Sequence, residues 1–135
     1  MDVTVHVSFD GDCEEAFRFY EGLLGVKIQA MMTYDEMGAD GSAPAGMEKK
    51  ILHAAMPVGG TTLMGADAPP DRFETPQGFS LSIGVDTGAE AERIFAALAE
   101  GGRVTMPMDE TFFASHFGMC VDRFGVPWMV VCQKT

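Results

Sequence analysis

Basic residues are scarce in this chain. Lys and Arg number 9 against 20 Asp and Glu, a formal net charge of −11 over 135 residues. Affinity for nucleic acid rests on Lys and Arg neutralising phosphates, and no basic cluster exists to do so. A nucleic-acid partner is therefore excluded, and an anionic membrane surface with it. Cysteine is scarce too: Cys13, Cys120 and Cys132 form an odd set without C-x-x-C spacing. That excludes a disulfide framework or a zinc knuckle and leaves reduced thiols acting as small apolar residues. No apolar run approaches the length of a membrane span. The opening M-D-V-T-V-H-V-S-F alternates like a strand and carries no basic n-region, so a cytoplasmic protein is expected.

What is present is an ample core composition, 47% hydrophobic with 21% charged residues, enough for one domain or two small modules sharing a core. Val3, Val5, Val7 and Phe9 alternate with Thr4, His6 and Ser8, a strand by its period of two. Asp12 reads as the N-cap of a helix through Ala16, Phe17, Tyr20, Leu23 and Leu24, ended by Gly25. Residues 26–34 read as a strand and 35–48, polar and without periodicity, as a mobile loop. Strands at 50–58 and 61–65 flank a Gly59-Gly60 turn.

After a proline-bearing linker the order repeats. Residues 79–85 read as a strand, Asp86 and Thr87 start a helix that Gly101-Gly102 ends, and 104–108 is a strand. The segment E-T-F-F-A-S-H-F-G-M-C-V-D-R-F-G-V-P-W-M-V-V-C, at 110–132, reads as a hairpin turning at Asp122-Arg123-Phe124-Gly125. Each half is thus strand, helix, strand, strand, strand. The expected class is α+β: two tandem βαβββ modules, at 1–67 and 79–135 about a linker at 68–78, forming a curled mixed sheet around a cleft, together one structural domain.

Three segments carry a family resemblance: V-S-F-D-G-D-C-E-E-A-F-R-F-Y-E-G-L-L-G at 7–25, G-F-S-L-S-I-G-V-D at 78–86, and the 110–128 stretch ending D-R-F-G-V-P-W. They resemble the vicinal oxygen chelate superfamily of glyoxalase I, bleomycin-resistance proteins and extradiol dioxygenases, and within it the PhnB-like subgroup. The resemblance implies the fold and a homodimer. Some members of the subgroup are described as demethylubiquinone methyltransferases. No G-x-G-x-x-G follows a strand and opens a helix here, and the chain is too short for a doubly wound sheet, so the sequence lends that activity no support.

Metal-dependent members of the superfamily place His, Gln or Glu ligands on the first and fourth strand of each module. Carried onto this chain, those positions fall near Thr4 or His6, near Met64, on Phe79 or Ser80, and on Met129. At most one imidazole remains, and thioethers are poor ligands for magnesium, manganese or zinc. No cofactor is expected; a divalent metal is the alternative. His53 reads as a structural imidazole. Glu110 and His116 share strand parity but stand about 20 Å apart, too far to pair.

Strand parity proposes a cleft lined by His6, Ser8, Met64, Ser80, Phe112, His116 and Trp128 or Met129, with Thr4 and Ser82 beside them. Trp128 inverts its face on a one-residue change of register, so it fits either the cleft or the outer helix. Eleven methionines suit an adaptable apolar pocket. The reading is a protein binding a small organic ligand in a metal-free cleft. The alternative is a metal-dependent lyase, isomerase or dioxygenase with an atypical ligand set.

Overall fold

The computed structural model describes residues 1–37 and 43–135, the side chain of Met37 excepted. They divide into two units, Met1–Glu74 and Thr75–Thr135, each built from one helix-backed sheet.

In the first unit the alternating pattern gives β1 (Val5–Phe9). Then come α1 (Cys13–Leu24), β2 (Ala30–Thr33), the short α2 (Tyr34–Met37), β3 (Ile51–Val58) and β4 (Thr61–Asp67). The sheet order is β1-β4-β3-β2, with β1 parallel to β4 and the other pairs antiparallel. One sheet face buries Val7, Phe9, Ala54, Met56 and Leu63 with Cys13, Ala16, Phe17 and Tyr20 of α1. Phe17 meets Phe9 edge-on with centroids 6.1 Å apart, a preferred aromatic geometry.

The expected N-cap at Asp12 fails: its side chain makes no capping bond. Asp67, 1% exposed at the end of β4, supplies the acceptor instead. It takes the N–H of Cys13 and of Ile51, each at 2.9 Å, tying the start of α1 and of β3 to β4. The strand expected at 26–34 shortens to 30–33. The Glu21 carboxylate takes the Ile28 N–H at 2.7 Å, a donor that a ladder would otherwise use. The segment expected to be a mobile loop begins instead with α2. Its two ends are held by Asp35 N–H on Glu48 O (3.1 Å) and Lys49 on Asp35 (2.9 Å); residues 38–42 lie outside the described residues.

The second unit repeats the topology: β5 (Leu81–Val85), α3 (Gly88–Ala99), β6 (Arg103–Asp109), β7 (Ala114–Val121) and β8 (Pro127–Gln133), in the order β5-β8-β7-β6. Here the sequence's cap holds, Thr87 Oγ1 accepting from Glu90 N–H at 3.1 Å. Ala91, Ile94, Phe95 and Leu98 bury against Trp128, Val130, Cys132 and Cys120. The β7–β8 turn is fixed by Gly125 at φ 88° and by Asp122, 3% exposed. Asp122 Oδ1 accepts from Phe124 and Val126 N–H at 2.9 and 3.0 Å, and Oδ2 from Trp128 Nε1 at 2.8 Å. Among the described residues no helix is long and apolar enough to cross a membrane.

Candidate ligand-binding faces

Each sheet has one face against its helix and one without, and the register assigns every strand residue to one or the other. Directly paired residues share a face, and neighbours along a strand alternate. On the first unit's helix-free face, His6 pairs with Met64, Met64 with Ala55, and Ala55 with Ala30. Ser8 pairs with Ala66, and Met32 with His53. His6 is exposed and Met64 half-buried, with Thr4 Oγ1 at 3.3 Å from the Met64 sulfur.

On the second unit's helix-free face the corresponding row runs Ser82–Met129–Met119–Met106. The partner of Met129 is Ser82. Ser80 precedes β5 and falls outside the ladder, because β5 starts at Leu81 rather than at Phe79. Phe112 also falls outside, in the β6–β7 connection. It is 91% exposed and packs edge-on against Phe113 at 5.2 Å, which in turn meets Phe117 at 5.3 Å.

His116 and Trp128 both lie on the helix side. Trp128 pairs with Cys120, is 3% exposed, and spends its indole N–H on Asp122. The one-residue register that parity left open is thereby fixed, and Met129 takes the helix-free face. A bulge between Ala114 and His116 shifts the strand phase. His116, beyond the bulge, keeps the register of Gly118 and Cys120 and stands opposite Cys132, with its ring against the start of α3: a Cβ on Gly88 would come within 2.2 Å of the ring. There Nε2 stands 3.4 Å from Glu92 Oε1 and Nδ1 3.0 Å from Ser115 Oγ. Glu110 pairs with Lys134 at 3.1 Å.

Each unit has a hollow, and the one in the first unit lies beside the start of α1 rather than on the helix-free face. The one in the second unit, about 640 Å³, opens where β5 and β8 end. It is lined by Ser82, Gly84 and Val131, with Asp86, Phe113 and Gln133 at its rim. That volume falls in the range of small-molecule sites. The one in the first unit, about 470 Å³, is lined mainly by charged groups: Asp12, Glu14, Glu15, Arg18, Lys49 and Lys50 among them. Burial, with Asp67 adding to it, holds the Asp12 carboxyl above its ordinary range. Burial likewise pushes the Cys120 thiol up to about 11 and Cys13 further, so neither is a ready nucleophile.

Of the strand positions where metal-dependent relatives are expected to carry ligands, His6 pairs with Met64, whereas Phe79 and Ser80 precede β5 and Met129 pairs with Ser82 instead. Neither pair, an imidazole with a thioether or a hydroxyl with a thioether, makes a donor set for a hard or borderline divalent ion. Among the described residues no group of three or more His, Cys, Asp or Glu side chains is placed to hold a metal. Sequence reasoning missed Met106, Met119, Ala55 and Ala30. Only cross-strand register reveals them, since their strands lie side by side but far apart in sequence.

The comparisons with known proteins agree with this topology. The sequence profile of the 3-demethylubiquinone-9 3-methyltransferase family matches residues 1–131. Protein YjdN of Escherichia coli K12 is 35% identical over 142 residues, covering 99% of this chain and 97% of its own. The crystal structure of protein PA1353 from Pseudomonas aeruginosa is similar with a TM-score of 0.88 at 44% identity, over 100% of this chain and 99% of that one. A putative 3-demethylubiquinone-9 3-methyltransferase, PhnB protein, from Bacillus cereus gives 0.82 at 29% identity, over 98% and 99%. A glyoxylase/bleomycin resistance/dioxygenase domain from Frankia shares the fold at a TM-score of 0.66 and 16% identity, over 99% and 98%. The duplicated βαβββ order, its two helix-free faces and these matches together place the chain in the PhnB-like 3-demethylubiquinone-9 3-methyltransferase family, with a fold shared with the glyoxylase/bleomycin resistance/dioxygenase domain.

Proposed function

We propose that the chain binds a small organic molecule at the helix-free face of its second unit, without a divalent metal. The observation that carries this reading is the hollow of about 640 Å³ with mixed lining. Ser82, Asp86 and Gln133 offer polar anchors, and Val131 and Phe113 offer apolar and aromatic walls. Buried thiols and a donor set unsuited to hard metals argue for holding a ligand rather than turning one over. Among the described residues the sheets are two mixed four-stranded ones, not the doubly wound sheet that carries a methyl donor. A homodimer belongs to the same reading: β6 is a sheet edge with Val104 nearly half exposed, an edge that needs cover.

Native mass spectrometry of the chain isolated without chelator tests the ligand. The expected result is a non-covalent organic adduct in the native chain that is absent from Gly84→Leu. Gly84 lines the hollow, and a Cβ added there meets nothing within 4 Å, so the variant folds while filling the site. No adduct at all, or an adduct that Gly84→Leu retains, overturns the proposal.

A further inference from the structure

We propose that Met106, Met119 and Met129 form a site for a soft monovalent cation, Cu(I) or Ag(I), on the helix-free face of the second unit. The three residues occupy adjacent strands as direct partners, Met129 with Met119 and Met119 with Met106, the second pair standing between two register shifts of β6. Paired Cα atoms in an antiparallel ladder stand about 4.5–5.5 Å apart, and the side chains rise from one face. Each methionine has three rotatable side-chain bonds, so sulfurs rooted that close can turn toward one point. Thioether sulfur is a poor donor to magnesium or zinc but selects Cu(I) among biological metals. The same chemistry that disqualifies this face for a hard ion qualifies it for a soft one.

The first unit provides an internal control. Its corresponding row is His6, Met64, Ala55 and Ala30, so the topology needs only one thioether there and fills two positions with alanine. Three adjacent methionines are thus a property of the second unit and not a demand of the fold. Accessibility supports the assignment as well: Met106 is 46% exposed, and Met119 and Met129 are half-buried. The rival soft donors face away, since Cys120 and Cys132 are buried on the α3 side. A net charge of −11 raises the local concentration of any cation. The cation site does not rest on the organic ligand proposed above; either can be found without the other.

The test is a titration of the chain, labelled with ¹³C at its methionine methyls, with silver nitrate in chloride-free buffer. Three resonances, assigned by Met106→Leu, Met119→Leu and Met129→Leu, are expected to shift together and saturate at one silver ion per chain. Met119→Leu, which removes the central donor at nearly constant volume, should weaken binding about tenfold or more, with an amide spectrum reporting that the fold is intact. Three unmoved resonances at one equivalent, or an affinity that Met119→Leu leaves within about twofold, overturn the site. So does silver binding that Cys120→Ala abolishes instead.

Discussion

The two units share strand order, strand directions and helix placement, yet they diverge at every position where a side chain does something besides fill the core. The first unit ties itself together through Asp67 at a strand end, which reaches the starts of α1 and β3. In the second unit the buried carboxylate is Asp122, inside a turn, where it accepts from Phe124, Val126 and Trp128, all within six residues of it. The first unit's α1 starts at an Asp that does not cap, whereas α3 starts at a Thr that does. One helix-free face carries histidines and alanines, the other a run of thioethers. Topology therefore constrains the backbone and the helix-facing core, and leaves the caps, locks and open faces free to differ between copies.

The largest expected effect sits at the two buried carboxylates. Asp122→Ala strands three N–H donors and should cost about 4 kcal/mol, against about 3 kcal/mol for Asp67→Ala, which strands two. Urea denaturation followed by far-UV circular dichroism measures both. A larger loss for Asp67→Ala would break the comparison. The caps come next. Thr87→Ala should cost about 1 kcal/mol, while Asp12→Ala leaves stability unchanged or raises it, since only Thr87 bonds the helix N–H groups.

A pH series sharpens the second half of that statement. The folded state holds the Asp12 carboxyl above its ordinary value of 3.8, chiefly by burial, with Asp67, Glu15 and Asp10 adding repulsion. The folded form thus prefers the proton. The stability this adds is present below the ordinary value and lost as pH rises through the folded one. Asp12→Asn should therefore be more stable than the native chain at pH 7, with the gap closing below about pH 4. An advantage that persists at low pH contradicts the electrostatic account. The smallest effect belongs to the outer face of α3: Glu92→Gln should change stability by less than about 0.5 kcal/mol, because the carboxylate opposite His116 is 68% exposed.

Much of the architecture was legible in the residues. Period-two alternation placed β1, and helical spacing placed α1 and α3, because those patterns respond to burial on one side. What escaped were features set by contacts distant in sequence. The Ile28 N–H is taken by Glu21, which shortens β2; Asp67 takes the role that Asp12 would have filled. The candidate site shows the same limit more sharply. His6, Met64 and Met129 fell on the helix-free faces that alternation predicted. His116 did not: it alternates in step with Gly118 and Cys120 on the helix side, and a bulge after Ala114 separates it from the preceding residues whose parity it was assigned. Trp128 was undecidable by parity and is settled by the Asp122 bond, a choice written in the turn. The row of three methionines is invisible along the chain and appears only when β6, β7 and β8 lie side by side.

The central claim is that these faces bind without a hard divalent ion, and elemental analysis of the chain purified without chelator or affinity metal tests it most directly. The account predicts substoichiometric magnesium, manganese, iron and zinc after dialysis. About one tightly held divalent ion per chain would contradict it and return His6 to the centre of a metal site.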